Sequence, residues 1–414
     1  MGRGPPMKTL LVCRDAPYPP TTGSPLRLWQ QVNLLASLGP VHVFSIGPPI
    51  GDDARTPLIA EWVHVDSTTW KAVRFHGILR AIKVFMPNQF PGVGDLANGT
   101  LNSRLGAFID RIKPDLIVVS HWPNSMPAVL RKHRRKLIVD SHNIESKLWF
   151  DMTSIGSIDK MLRHWRFSRR ETRLSQAAST TWVTSEIDKA ALTQMSRKPI
   201  SVSVWPNAID LAYYDPARMS AAVSALGLER SFPTLIFVGY MAYEPNHDAA
   251  RVLITEILPK VRLRYPGARV FVVGKNPRPD LIALANQEIN VYVTGTVSDV
   301  RPYLAVSDLA VIPLTVGGGT RLKLLEAFAS RLAVVSTTKG AEGIATAGSK
   351  EVAIADSVDK MVEEILSLLD DRQRWSLQVD RAYALVESQF SWQALGKRLP
   401  EEISKVLEPP TRVF

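Results

Sequence analysis

The run Val311–Ala329, VIPLTVGGGTRLKLLEAFA, decides how this chain reads. Its apolar lead-in, Leu309 to Leu314, has the length and composition of a strand buried on both faces of a parallel sheet. Gly317, Gly318 and Gly319 follow, and Thr320 is positioned to cap a helix whose Leu322, Leu325 and Ala329 share one face. Strand, glycine turn and helix start together make an anion site. Glycine lets the backbone come close to a ligand, and the free N–H groups of the first helical turn favour negative charge. Arg321 and Lys323 lie in that first turn, where cations oppose the helix dipole, so an anionic ligand would offset the conflict. Glu326, further along, can accept hydrogen bonds from a vicinal diol such as a ribose. The plain alternative is a strand–turn–helix with solvated charges.

The chain has 414 residues, 45% of them hydrophobic and 21% charged, which fits a soluble globular protein of two domains. Cys13, the single cysteine, excludes an internal disulfide framework and a cysteine-rich zinc site; it reads as a core residue and points to a reducing compartment. No apolar run approaches the roughly 20 residues that cross a bilayer, and the N-terminus is too short in its apolar part for a signal peptide. Residues 1–6 read as a flexible leader. The net charge of +11 calls for an anionic partner. It is concentrated in Arg131–Lys136 and in Arg163, Arg166, Arg169, Arg170 and Arg173. Solvated faces and an anionic membrane surface both account for these runs. No nucleic-acid-binding signature accompanies them.

The N-terminal half opens as β–α–β: strand Lys8–Cys13, helix Leu26–Leu38 ended by Gly39, strand Val41–Ile46. The loop around Thr22, Gly23 and Ser24 then lies at the strand C-termini, where such sheets bind ligands, although Gly23 also suits an ordinary turn. Residues 71–90 form a basic amphipathic stretch suited to a membrane surface, an acceptor groove or ordinary packing. Strand Asp115–Ser120 ends at His121, and strand Leu137–Asp140 is followed by His142, Asn143 and Glu145; His142 can donate a hydrogen bond or act as a base. Prolines 206 and 216 punctuate a boundary. A second β/α series follows, with strand Thr234–Val238 ending in Gly239, a loop through Asn246, a helix from Asp248 and strand Arg269–Val273. It then leads through Val297 to the opening run, and the tail is helical. The expected fold is α/β, two similar domains facing a cleft.

VIPLTVGGGTRLKLLEAFA, FVGYMAYEPNHDA, VTGTVSDVRPYLAVSDLAV, SRLAVVSTTKGAEGI and VDSHNIES together resemble the GT-B glycosyltransferases of family four, nearest to the bacterial sugar transferases of exopolysaccharide and surface-glycan systems. The match is specific over about 206–345 and looser before it. The resemblance implies two Rossmann-like domains, 7–205 on the acceptor side and 206–385 binding nucleotide sugar, with 386–414 supplying a C-terminal helix, centred on Ser388–Leu399, that returns to the first domain. It implies retaining transfer from a UDP- or GDP-sugar to a hydroxyl acceptor. By position, Arg321 and Lys323 would hold the diphosphate and Glu326 the ribose. Gly318, Gly319 and Thr320 would approach the phosphate or sugar by backbone. Gly239 would lie under the diphosphate, Val297 near the base, with Asn246 in the donor-binding set. Gly23 would close on the donor, and His142 would stand near the reacting centre.

Two departures stand out. Gly318 occupies the place where many family members carry an acidic residue, and no Arg or Lys occurs in Tyr240–Asn246 after Gly239, which loads the diphosphate charge onto Arg321 and Lys323. No two aspartates are separated by one residue, so no catalytic metal and no cofactor beyond the nucleotide sugar are expected. The basic stretches 71–90, 131–136 and 163–173 point to a lipid-linked or membrane-proximal acceptor and to a cytoplasmic protein peripheral at the inner membrane face. A nucleotide-sugar epimerase of the same fold and a non-catalytic sugar- or membrane-binding scaffold remain as alternatives.

Overall fold

A computed structural model describes residues 6–20, 23–47, 56–66, 99–120, 128–147, 158–317, 321–345 and 348–407. The leader up to residue 5, Thr22, the stretch 71–90, His121, and Gly318, Gly319 and Thr320 lie outside the described residues. The chain divides into two compact units: Met1–Pro206 with Gly396–Phe414, and Asn207–Leu395.

The described strands of the first unit are β1 (Thr9–Cys13), β2 (Val41–Gly47), β3 (Ile59–Asp66), β4 (Leu116–Ser120), β5 (Leu137–Asp140), β6 (Thr180–Val183) and β7 (Val202–Val204). They form one parallel sheet in the order β3-β2-β1-β4-β5-β6-β7. Every residue of β1, β4 and β5 is buried, as uninterrupted apolar strands require when helices cover both faces. Leu10, Val12, Phe44, Leu105 and Phe108 build one side of the core. Trp182 stacks on Trp205 with ring centroids 4.7 Å apart. The strand order reverses between β1 and β4, so their C-terminal ends flank the crevice where such sheets bind ligands.

The second unit repeats the scheme with β8 (Thr234–Val238), β9 (Arg269–Val273), β10 (Val291–Val293), β11 (Leu309–Ile312), β12 (Ala333–Ser336) and β13 (Ala353–Ile354), ordered β10-β9-β8-β11-β12-β13 and parallel throughout. Its reversal lies between β8 and β11. The glycine turn of the opening run follows β11, so that run sits at the reversal of its sheet.

Several boundaries differ from the sequence reading, each for a local reason. The first helix starts at Gly23 rather than Leu26, because Pro25 is tolerated in a first turn; Gly23 is therefore an exposed helix start and not a loop tip. A helix starts at Glu244 rather than Asp248, again with proline (Pro245) in its first turn, which carries Asn246 onto a helix. The C-terminal helix is Trp392–Leu407. Ser388 instead belongs to a π-turn, Val386–Phe390, and Ser391 Oγ accepts from Ala394 N at 3.0 Å to start the new helix. From Gly396 onward this helix groups with the first unit, where Arg398 donates to Val204 O at 3.0 Å. The helix Leu322–Ala329 buries Leu324, Ala327 and Phe328 as well as Leu325 and Ala329, so it is enclosed on more than the one face its spacing suggests.

Candidate active site

In the second unit the site is built from the ends of β8 and β11 and the starts of two helices. β8 ends at Gly239. An added Cβ there would meet Asn246 Nδ2 at 2.9 Å and Cγ at 3.0 Å, so glycine is what admits the Asn246 side chain against the strand end. Asn246 Nδ2 donates to Tyr240 O at 3.0 Å, which turns the amide oxygen outward, and Lys323 Nζ donates to that oxygen at 2.6 Å. Lys323 Nζ also lies 4.4 Å from the centroid of the Phe237 ring. Among the described residues Lys323 has no carboxylate within ion-pair distance. Burial, helped by the charge of Arg321 and opposed by Glu326, brings the ammonium down from its usual 10.5 to about 7. A cation short of both water and counter-charge is suited to an anion that arrives with a ligand.

Arg321 precedes the helix and donates through Nη2 to Lys339 O at 3.1 Å, with Glu342 3.7 Å away. Its guanidinium passes across Gly317, whose φ is +135° and where an added Cβ would meet Nη1 at 2.6 Å. At β9 the same economy recurs. Gly274, with φ +149°, would place a Cβ 1.7 Å from Gly239 O, so these two strand ends require glycine to approach. Met241 N donates to Lys275 O at 3.0 Å and sets Lys275 beside the loop after Gly239. The sequence reading counted cations only along Tyr240–Asn246 and missed this one, which is near in space but not in sequence.

Glu326 accepts from the hydroxyl of Tyr214 at 3.3 Å. Burial raises its carboxyl to about 7 against the lowering effects of Tyr214 and Lys323. Tyr214, from the turn Leu211–Tyr214, went unnoticed in the sequence; its only mark there is an aromatic pair beside Asp215 and Pro216. Val297 packs partly buried against the core of this unit. Arg321, Lys323, Glu326, Gly239 and Asn246 are thus brought to one end of one sheet. Gly318, Gly319 and Thr320 are the expected residues there that lie outside the described ones.

In the first unit His142 follows β5 and is buried. Asp140, at the end of β5, accepts from Nε and Nη2 of Arg27, with Nε 3.2 and 3.1 Å from the two carboxylate oxygens. Burial alone would raise the Asp140 carboxyl, but Arg27 and His142 hold it well below the usual carboxylate range. Burial lowers the His142 imidazole, opposed by Asp140. Ser120 Oγ sits 2.7 Å from Asp140 Oδ2 and 2.8 Å from His142 Nε2. Arg27 and Ser120 were absent from the sequence reading because nothing local marks them; the sheet order brings them to Asp140. Asn143 O accepts from Ser141 Oγ at 2.8 Å, and Glu145 N donates to Glu171 at 2.5 Å, which ties down the segment after His142. Gly23 starts the helix that carries Arg27. Cys13 is a core thiol that burial pushes up. Among the described residues no group of three or more His, Cys, Asp or Glu is placed to hold a metal ion.

Residues 41–213 match the family model for Glycosyltransferase Family 4, and residues 232–371 match that for Glycosyl transferases group 1. The chain belongs to the GT-B glycosyltransferases. Among relatives of this glycosyltransferase, a GDP-mannose-dependent monoacylated alpha-(1-6)-phosphatidylinositol monomannoside mannosyltransferase of Corynebacterium glutamicum is 26% identical over 208 residues, 47% of this chain and 54% of that protein. A D-inositol 3-phosphate glycosyltransferase of Segniliparus rotundus is 26% identical over 228 residues, 52% of this chain and 49% of that one. The chain spans about half the length of these curated relatives. The crystal structure of HepE from Anabaena in complex with UDP and glucose has a TM-score of 0.67 at 16% identity and covers 96% of this chain and 99% of that one. At that identity the likeness establishes the fold.

The two displaced titrations make the stability of the second unit pH-dependent in opposite senses. Between pH 4.5 and about 7 the folded Glu326 holds a proton that the unfolded chain has lost, so stability falls as pH rises. Between about 7 and 10.5 the unfolded chain holds a proton on Lys323 that the folded unit lacks, so stability rises again. Denaturant unfolding across pH should show this minimum near neutrality. Lys323→Met should flatten the upper limb; an unchanged upper limb in that variant would contradict the buried-cation assignment.

Proposed function

We propose that this glycosyltransferase moves a sugar from a nucleoside-diphosphate sugar to a hydroxyl acceptor with retention of anomeric configuration. The observation that carries the reading is Lys323, a partly dehydrated cation held by Asn246 at the start of a helix and beside Arg321. As the glycosidic bond to the β-phosphate breaks, negative charge grows on the departing diphosphate. Preorganised cations and helix N–H groups stabilise such developing charge without reorganising. Lys323 and Arg321 are assigned that task, with Gly239 lying under the diphosphate and admitting the Asn246 side chain that holds Lys323, and with Gly318, Gly319 and Thr320 offering backbone N–H groups. Glu326, steadied by Tyr214, takes the ribose hydroxyls, and Val297 lies on the base side. His142 on the first unit, aided by the helix that begins at Gly23, is assigned a hydrogen bond to a sugar or acceptor hydroxyl.

The name of the Corynebacterium relative specifies GDP-mannose and the Anabaena protein is complexed with UDP, which supports a nucleotide donor and leaves UDP and GDP as the two to test. With Gly318 where many relatives carry an acid, the donor sugar is read by other groups. We place the acceptor at the inner, anionic face of a membrane. Met161 and Trp165 are exposed one helical turn apart, Arg169 lies 4.5 Å over the Trp165 ring, and Arg131, Lys132, Arg134 and Arg135 are exposed on a separate stretch of the same unit. No described helix is long and apolar enough to cross a membrane.

Arg321→Ala should remove a charge-assisted contact of about 1.5–3 kcal/mol, or roughly 10- to 150-fold in turnover of the accepted donor. Unchanged turnover would overturn the assignment, and conversion of donor with no acceptor present would mean an epimerase instead. Sedimentation with phosphatidylglycerol vesicles should be strong at low salt and lost at high salt; equal binding to neutral vesicles would contradict the electrostatic part of the membrane reading.

A further inference from the structure

In the second unit the turn Leu211–Tyr214 is fastened beside Glu326 to the loop 294–301. We propose that Arg301, with Asp299 and Tyr213, is a positioning residue for the nucleoside half of the donor: acting through Tyr214, it sets the Glu326 carboxylate for the ribose hydroxyls and ties that carboxylate to the loop that carries Val297. This rests on the reading that Glu326 takes the ribose, and the experiment below separates the two.

Asp299 Oδ1 accepts from Arg301 N at 2.9 Å. Arg301 Nε lies 3.0 and 2.9 Å from the two carboxylate oxygens, and Nη2 donates to Oδ2 at 2.6 Å. A guanidinium is planar and rigid, so one whose Nε and Nη2 are engaged by a carboxylate aims Nη1 from its far edge. That Nη1 donates to Tyr213 O at 3.1 Å. The guanidinium carbon stands 3.9 Å from the centroid of the Tyr213 ring, whose hydroxyl donates to Asp299 Oδ1 at 3.4 Å. One ion pair therefore holds the backbone, the ring face and the hydroxyl of Tyr213. Its side chains are only 17% and 21% exposed, so salt screens it less than a surface pair.

Tyr214 is the next residue. Its buried ring meets the Tyr213 ring edge-on, with centroids 5.3 Å apart and planes at 78°, and its hydroxyl donates to Glu326 Oε1 at 3.3 Å. The chain before it is anchored separately, by Ile209 N to Phe390 O at 2.8 Å and Ala212 N to Asp210 Oδ1 at 3.0 Å. Releasing the Arg301 anchor then lets the end of the turn that carries the Tyr214 hydroxyl swing against the other. At 3.3 Å that hydrogen bond is already long, and a further small shift removes it. Donation to one oxygen restricts rotation of the carboxylate plane, and with it the direction in which Glu326 accepts from a diol. Val297, four residues before Arg301 in the sequence, packs partly buried against the same core that holds Tyr214. Arg301, Asp299 and Tyr213 touch no ligand in this scheme; they act through Tyr214 and Glu326.

The test is calorimetric titration of the full chain with UDP and GDP, followed by the 2′,3′-dideoxy form of whichever binds more tightly. The unaltered protein should prefer the ribonucleotide by about tenfold or more. Tyr214→Phe keeps the ring and removes the hydroxyl; Arg301→Lys keeps the charge and removes the fork. Each should shrink the preference about three- to tenfold by weakening the ribonucleotide alone, with the affinity for the dideoxy form held. The double variant should be no worse than Tyr214→Phe, because Arg301 acts through that hydroxyl. Should Arg301→Lys fail to fold, Asp299→Asn replaces it with the same expectation. Equal weakening of both nucleotides, which a merely structural role would give, an unchanged preference in either single variant, or additive losses in the double variant would each overturn the clamp. Glu326→Gln separates the two readings. If it abolishes the preference while Tyr214→Phe leaves it intact, the clamp falls and the ribose reading stands. If the unaltered protein has no preference, or Glu326→Gln retains it in full, the ribose reading falls and takes the clamp with it.

Discussion

The ammonium of Lys323 is held at 2.6 Å by the side-chain oxygen of Asn246 and lies against the Phe237 ring, in surroundings that bring it down to about 7. Much of the second unit's end follows from that contact. Asn246 reaches Lys323 because Gly239 has no side chain to block it, and Gly239 reaches β9 because Gly274 has none. Gly317 does the same for Arg321. A cation kept short of solvent is unfavourable in the free protein. An arriving diphosphate supplies the missing charge, and the geometry is already in place when charge develops on the leaving group.

The first unit reaches a different result from the same sheet logic. Its reversal point also gathers polar side chains at strand ends, but the cation there, Arg27, is already neutralised by Asp140. A buried ion pair of this kind contributes little net stability, since desolvation offsets most of the attraction. What it does provide is a fixed charge pattern around Ser120 and His142. One sheet end thus carries an unmatched cation that suits an anionic ligand, and the other a matched pair that suits orientation of the His142 ring.

Much of this was legible from residues alone. Apolar runs marked most strands of both sheets, because a strand buried on both faces needs an unbroken hydrophobic sequence; β3, whose interior is only half-buried, and the two-residue β13 carry no such run and were not read as strands. The strand–glycine–helix order marked Arg321, Lys323 and Glu326, and the Asp140–Glu145 cluster marked His142. Helix starts were less legible: Pro25 and Pro245 read as loop residues, yet proline suits a first turn, and this moved Gly23 and Asn246 from loops onto helices. Of the supporting partners only Asn246 was named, through the resemblance, and its contact with Lys323 was not legible; Arg27 and Tyr214 were not legible at all. Arg27 is 113 residues from Asp140, Tyr214 is 112 from Glu326, and Asn246 is 77 from Lys323. Only strand order places such residues together, and no spacing in the sequence encodes it.

The central claim is that Lys323 takes up its charge when a nucleoside diphosphate binds. Calorimetric titration of UDP and GDP at pH 8, repeated in two buffers of different ionisation heat, measures the protons that accompany binding. At that pH the phosphates are fully ionised, and a group titrating at about 7 is mostly neutral. Binding of the preferred nucleotide should therefore take up close to one proton, and Lys323→Met should bind more weakly with no uptake. Tight binding without proton uptake by the unaltered protein, or the same uptake in Lys323→Met, would contradict it.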